Sequence, residues 1–307
     1  MKNKKIIIGS RGSKLALIYA EKAKKRILNF YPEFTFDDIE IKKITTAGDV
    51  YQNERLSELG GKGLFSKKIE EELLNNKIDI AVHALKDMPS EETDGLITSC
   101  FLKRNDPREA ILSNKNIKLK DLNSNSLVGT SSYRREYQLN NLRNDLKYKL
   151  IRGNVDTRIK KLKDNLYDAI ILSIAGINSL NLNEYVTEIL PTNDMLPSAG
   201  QGIIALQSKE DDKRINAILK KVNHESTYQC AQAERNVLKV LEGDCETAIG
   251  VYSSISDKKI EIKAELFSLD GKKRFFKESS NVINKATELG IEVGEFLKKQ
   301  SKGSYKK

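Results

Sequence analysis

Lys86 and Asp87 stand side by side in His83-Ala84-Leu85-Lys86-Asp87-Met88-Pro89, directly after the apolar-rich stretch Ile78-Asp79-Ile80-Ala81-Val82. In α/β proteins ligands collect at the carboxyl ends of strands, so an acid at such an exit can act on bound chemistry. A solvated Lys–Asp turn is the alternative when the stretch is taken alone. Three more strand-to-helix junctions carry cations: Gly9-Ser10-Arg11-Gly12-Ser13, Gly129-Thr130-Ser131-Ser132-Tyr133-Arg134-Arg135 and Ile151-Arg152-Gly153-Asn154-Val155-Asp156-Thr157-Arg158. Each joins the free N–H groups of a helix start to hydroxyls or guanidinium forks, a combination that holds anions without metal. Capping by Ser or Asn beside an exposed arginine explains any one of them, and together they point to a shared anionic ligand.

Gly60-Gly61-Lys62-Gly63-Leu64-Phe65 resembles a phosphate-cradling loop but lacks the Gly-x4-Gly-Lys-Ser/Thr spacing of a nucleotide P-loop. A mobile flap bearing one lysine fits it better, with an unliganded surface loop as the alternative. Cys100 falls in a strand pattern and Cys230 in a helix pattern, where both read as small core residues. Cys245 follows Leu241-Glu242-Gly243-Asp244 in a loop that would leave a thiol accessible, although no electropositive setting shows in the sequence. His83 and His224 are the only histidines; neither has metal-ligand spacing, and His83 reads equally as a packed residue or an acid–base group.

The elements that must position these groups follow from periodicity. Strands are expected at Lys5–Gly9, Ile39–Thr45, Ile78–Val82 and Leu96–Phe101, with a helix from Lys14 to Asn29 capped by Ser13 and another carrying Phe65, Ile69 and Leu73. The pattern restarts near Asn105-Asp106-Pro107 with strands at Ala110–Leu112, Leu127–Gly129, Lys149–Ile151 and Ala169–Leu172 separated by helices, a second α/β unit. Ser198-Ala199-Gly200-Gln201-Gly202 reads as a flexible turn into Ile203–Leu206 and a helix from Asp211 to Val222, a segment able to cross back to the first unit. A helix from Ser226 to Leu241, a strand at Ile249–Ser253, a hairpin turning at Asp270-Gly271 and a helix using Leu289, Val293, Phe296 and Leu297 make a smaller α+β unit. The tail Ser301–Lys307 looks disordered.

Composition narrows the function classes. The 307-residue chain suits two or three domains; with 39% hydrophobic and 31% charged residues it reads as soluble and globular, and no apolar run approaches the roughly 20 residues that span a bilayer. The basic start leads straight into a short strand and does not read as a signal peptide. Three widely spaced cysteines suggest neither a disulfide framework nor zinc, so a reducing cytoplasm is expected. A formal net charge of +10 suits nucleic acid, an acidic membrane surface or a polyanionic small molecule, and charge alone does not choose.

The segments His83–Pro89, Gly60–Phe65, Gly129–Arg135, Arg152–Arg158, Ser198–Gly202 and the Cys245 loop resemble, in order and over nearly the whole chain, the hydroxymethylbilane synthase (porphobilinogen deaminase) family. That family condenses four porphobilinogens head to tail, releases ammonia at each step, and hydrolyses off the linear tetrapyrrole hydroxymethylbilane in porphyrin biosynthesis. The resemblance implies two type II periplasmic-binding-protein-like α/β domains, at 1–102 with 202–221 and at 103–201, and a smaller α+β domain at 222–307. It implies a dipyrromethane primer joined as a thioether to Cys245, with Asp87 as the catalytic carboxylate. Cofactor contacts are implied for Lys86, Thr130, Ser131, Ser132, Arg134, Arg135 and Arg158, and substrate contacts for Arg11, Ser13, Lys62, Phe65, Arg152 and Gln201. A cytoplasmic monomer without nucleic-acid or membrane partner is implied, its product passing to a uroporphyrinogen III synthase. Ala84, Ser179, Glu58 and Asp244 depart from the family pattern, where serine, arginine, lysine and glycine are expected; the departures touch secondary carboxylate contacts and loop geometry.

Two other classes compete. A solute-binding protein of the same architecture would hold an acidic ligand without reaction, and Cys245 argues against it. A basic nucleic-acid binder would need a basic stripe with stacking aromatics, which the chain lacks.

Overall fold

The computed structural model describes residues 5–46, 63, 66–243 and 247–306. The chain first lays down β1 (Ile6–Arg11), α1 (Lys14–Phe30), β2 (Ile39–Ile44), α2 (Lys67–Leu74), β3 (Ile80–Ala84) and β4 (Leu96–Phe101). It then crosses to β5 (Glu109–Ser113), β6 (Leu127–Gly129), α3 (Tyr133–Leu142), β7 (Lys147–Lys149), α4 (Val155–Lys163), β8 (Ala169–Ser173), α5 (Ile174–Leu180) and β9 (Glu188–Leu190). It returns through β10 (Ile204–Lys209) and α6 (Lys213–Val222), and closes with α7 (Glu225–Leu241), β11 (Ile249–Ser256), β12 (Lys259–Phe267), β13 (Arg274–Val282) and α8 (Ala286–Ser301).

The two larger sheets repeat one topology, β2-β1-β3-β10-β4 and β7-β6-β8-β5-β9. In each, the first three strands run parallel and the fourth is antiparallel to both neighbours. This is the expected type II periplasmic-binding-protein-like pair of lobes, beside a separate three-stranded antiparallel sheet β11-β12-β13. The antiparallel strand has a consequence for chemistry: its start lies at the same edge as the parallel strands' carboxyl ends. Ile204 of β10 pairs with Ala84 at the end of β3, and Glu109 of β5 pairs with Ser173 at the end of β8. Both lobes therefore turn their ligand-binding edges toward the segments that join them.

Local sequence explains the elements. The Ser13 hydroxyl accepts the Ala16 N–H at 3.3 Å and starts α1, whose Tyr19, Ala20, Ala23 and Ile27 recur on the face buried against Ile6, Ile8 and Ile80. In the third unit, Val237 and Leu241 of α7 and Leu289, Val293 and Leu297 of α8 cover Ile260, Ile262, Ala264 and Leu266. Cys100 and Cys230 are buried, as their patterns suggest, and burial pushes their thiols up to about 12 and about 11, leaving both protonated.

Three expectations need correction. The strand placed at Lys149–Ile151 lies two residues earlier, because β7 pairs Leu127 with Lys147 and Gly129 with Lys149 while Ile151, fully buried, plugs the core beyond the strand end. The tail is docked through residue 306: Tyr305 is buried, and its hydroxyl donates to the Leu241 carbonyl at 3.1 Å. The Ser198–Gly202 turn is pinned rather than flexible. The Gly200 N–H donates to the buried Glu234 carboxylate at 2.7 Å, which also takes Arg104 from the first crossing segment and the Ser253 N–H of β11. Gly202 sits at φ +82°, and a Cβ there would fall 2.6 Å from the Asn105 carbonyl oxygen. Gly202→Ala is expected to lower stability by about 1–3 kcal/mol, the cost of forcing a side chain into left-handed backbone against a carbonyl, as read from the urea midpoint.

Candidate active site

The β1 and β3 ends supply one wall of the cleft. Arg11 closes β1, and one turn of 3₁₀ helix, Leu85–Asp87, follows β3. Leu85 is buried and its N–H donates to the Ile203 carbonyl at 3.0 Å, which anchors the turn and leaves Lys86 and Asp87 facing cleft water. A cavity of about 50 Å³ lies here, lined by Arg11, Ser13, Tyr19, His83 and Asp87 with Leu15, Ala16, Val82 and Ala84 between them. Among the described residues the Asp87 carboxylate has no hydrogen-bond or ion-pair partner, yet its charge is felt by Tyr19, Lys86 and Arg158. An acid near the cations Lys86 and Arg158 with neither bonded to it is positioned for something that enters the cleft.

His83 is buried where it lines the cavity. Burial pushes its imidazole down to about 4, opposed in part by Gln207 and helped by Arg11, so the ring is neutral at physiological pH. Lys86 donates to the Gln201 side-chain oxygen at 3.2 Å instead of pairing with Asp87. The protein packed around Lys86, then Arg135, push its ammonium below the usual lysine range, and cleft water reaching the side chain tempers the shift.

The facing wall comes from the second lobe. Thr130 and Ser132 follow β6 and shape the start of α3: the Thr130 hydroxyl accepts the Ser132 N–H at 3.1 Å, and the Ser132 hydroxyl accepts the Arg135 N–H at 3.4 Å. Both hydroxyls keep a proton to donate, and half-buried Ser131 lies between them. Arg134 and Arg135 converge on one carboxylate, that of fully buried Glu109, at 2.6 and 2.8 Å. Burial alone would raise the Glu109 pKa, but Arg135, Arg134 and Lys86 outweigh it and hold the carboxyl well below its ordinary range.

The two arginines are not equivalent. Arg134 also donates to the Leu196 carbonyl at 2.8 Å. Arg135 donates to the Ile171 carbonyl at 3.2 Å, and among the described residues its buried Nε has no partner. Arg158 uses Nε on the Gly153 carbonyl at 2.8 Å; surrounding protein, then Arg135 and Arg152, disfavour its charge, and Asp87 favours it. Arg152 is half-buried beside it.

The structure thus brings Arg11, Ser13, Lys86, Asp87, Thr130–Ser132, Arg134, Arg135, Arg152 and Arg158 to the facing strand edges of the two lobes. Gln201 is also there and fully buried: its amide donates to the Pro107 carbonyl at 2.6 Å and its oxygen receives Lys86. Lys62, Phe65 and Cys245, with Glu58 and Asp244, lie outside the described residues. Glu109 is the site residue that sequence reasoning missed; the available signal was an acid heading the apolar strand Ala110–Leu112. Cations outnumber Asp87 and Glu109, and this excess of positive charge at strand ends suits a ligand bearing several carboxylates. Among the described residues no cluster of His, Cys, Asp and Glu is placed to hold a metal, and no helix is long and apolar enough to cross a membrane.

Comparison with known proteins places the chain in a family. Residues 6–217 match the family described as porphobilinogen deaminase, dipyromethane cofactor binding domain, and residues 228–299 match porphobilinogen deaminase, C-terminal domain. The porphobilinogen deaminase of Staphylococcus epidermidis is 42% identical over 304 residues, covering 98% of this chain and 96% of that protein. The enzyme of Chlorobium chlorochromatii is 40% identical over 301 residues, covering 97% and 95%. With both domain matches spanning the lobes and the third unit, and full-length relatives at this identity, the chain belongs to the porphobilinogen deaminase family.

Proposed function

We propose that the cleft carries out the family's reaction, the deaminating condensation of four porphobilinogens and hydrolytic release of hydroxymethylbilane, with Asp87 as its catalytic carboxylate. The observation that carries this reading is the Asp87 carboxylate at the end of β3, without a hydrogen-bond or ion-pair partner among the described residues and near cations from both lobes. The family's cofactor fits the residues present. Its carboxylates match the orphaned Arg135 Nε and the forks of Arg158 and Arg152, with Thr130, Ser131 and Ser132 as hydroxyl donors. Bound through Cys245 as a thioether, a dipyrromethane supplies the pyrrole carbon onto which units are added, by a linkage that hydrolytic release of product leaves intact.

The chain's own residues account for the rest. Loss of ammonia from porphobilinogen leaves an electron-poor pyrrole cation, and a fixed carboxylate accepting pyrrole N–H groups stabilises the positive charge and can relay a proton. Neutral His83 does not compete for that role. Arg11, Ser13 and Arg152 would receive the acetate and propionate groups of incoming substrate, and the proposal includes substrate contacts for Lys62 and Phe65. Lys86, steadied by Gln201, adds a directed cation beside the acid.

Arg158 joins the Asp87 region to the arginines of the second lobe, so Arg158→Leu is expected to cut kcat/KM by on the order of tenfold or more. Intact-mass spectra of that variant during turnover should shift toward incompletely extended species compared with the parent. The function itself is tested by incubating the purified protein with porphobilinogen: ammonia and a linear tetrapyrrole are expected, and binding without consumption would leave a solute-binding protein instead.

The proposal includes the domain limits 1–102 with 202–221, 103–201 and 222–307. It includes action as a monomer in the cytoplasm, where Cys100 and Cys230 stay reduced. A uroporphyrinogen III synthase would consume the product.

A further inference from the structure

Lys22 lies on α1 of the first lobe, one helical turn beyond Tyr19 and on the same face. Its ammonium donates to the Ser179 hydroxyl on α5 of the second lobe at 3.0 Å and stands 5.9 Å from the Tyr19 ring centre. Tyr19 lines the cavity that holds Asp87, and its phenol lies near enough to Ser179 for that hydroxyl to oppose part of its pKa rise. Burial, then Asp87, push that phenol up to about 12, so it stays protonated and able to donate. A chain of groups therefore runs from the Asp87 cavity through Tyr19 and Ser179 to Lys22, across the seam between the lobes. The Lys22 side chain is half-buried, and burial lowers its pKa, yet among the described residues no carboxylate lies within ion-pair distance. A half-buried ammonium held by a hydroxyl and a ring is incompletely compensated, and an anion entering from the cavity would complete it.

We propose that Lys22, steered by Ser179 and flanked by the Tyr19 ring, forms a subsite for a carboxylate side chain of the incoming pyrrole. The subsite rests on the condensation reaction proposed above. It binds the unreacted substrate and the transition state alike, so its loss shows in KM more than in kcat. Its cation comes from α1, one helical turn beyond the cavity-lining Tyr19, and supplements the arginines at the strand ends.

The test uses the full-length protein and two readouts. One is steady-state turnover of porphobilinogen. The other is calorimetric binding of a pyrrole carrying acetate and propionate but no aminomethyl group, which cannot lose ammonia. Lys22→Met is expected to raise KM about tenfold, the equivalent of one lost charge-assisted hydrogen bond, with kcat within about twofold and analogue affinity lowered in parallel. Lys22→Arg is expected to recover most of both. Unchanged KM and unchanged analogue affinity in Lys22→Met would overturn the subsite, and a lowered thermal midpoint alongside them would make Lys22 a strut between lobes. Failure of the parent protein to consume porphobilinogen would count against the reaction itself, whereas normal parent turnover with an indifferent Lys22→Met sinks only the subsite.

Discussion

Asp87→Asn is expected to keep the fold and the bound cofactor while losing about 10²–10³-fold in kcat, the range seen when a preorganised charge or donor is removed from a transition state. The substitution is nearly isosteric, and Asp87 makes no hydrogen bond or ion pair to other described residues, so little of the structure depends on its charge. Reaction-centre charge depends on it directly. Asparagine keeps an oxygen for a pyrrole N–H but cannot offset a positive pyrrole, so the loss should fall on kcat with a smaller change in KM. Steady-state kinetics beside intact mass check both halves. Near-normal turnover would remove Asp87 from the catalytic role, and loss of cofactor with lost turnover would make it a binding group.

Glu109→Gln should instead damage the second lobe. One carboxylate, fully buried, serves both Arg134 and Arg135. Glutamine keeps one acceptor oxygen and leaves the pair of buried guanidinium groups without a counter-charge, a loss of about 3–5 kcal/mol for a broken buried ion pair. The denaturation midpoint is the measurement. Its pH dependence carries a second signature. Because the folded Glu109 pKa is depressed, its contribution is complete above the unfolded glutamate value of about 4.3 and is lost as pH falls through the lower folded value. The parent should therefore lose stability on acidification below that point more steeply than Glu109→Gln. Equal stability of the two at pH 7 would mean that the arginines are held by their carbonyl partners alone.

Elements with clear patterns and punctuation were legible in the sequence. Leu96–Phe101 and Leu127–Gly129 stand where their apolar runs place them, and the Ser13 cap starts α1 as its side chain predicts. What failed did so for tertiary reasons. Ile151 looks like strand because it is apolar, but it is buried by packing beyond the β7 ladder. The Ser198–Gly202 turn has the composition of a flexible loop, and its rigidity comes from Glu234, some 34 residues further along the chain. In the site, junctions such as Thr130–Arg135 were legible as anion-binding candidates because helix starts and guanidinium forks are local features. Glu109 and Gln201 do not, because they owe their places to antiparallel strands that begin where parallel strands end, a relation visible only in the assembled sheets. Lys22 looks like one more solvated helix lysine until Ser179 of the other lobe is set beside it.

The central claim is that this cleft builds a tetrapyrrole on a primer held at Cys245 and served by Asp87. Intact-mass analysis of the purified full-length protein, followed by peptide mapping, tests it most directly. The account predicts a mass above that of the chain by one dipyrromethane, mapped to Cys245, with heavier species in steps of one pyrrole unit on adding porphobilinogen. An unmodified chain whose mass does not respond to porphobilinogen would contradict it.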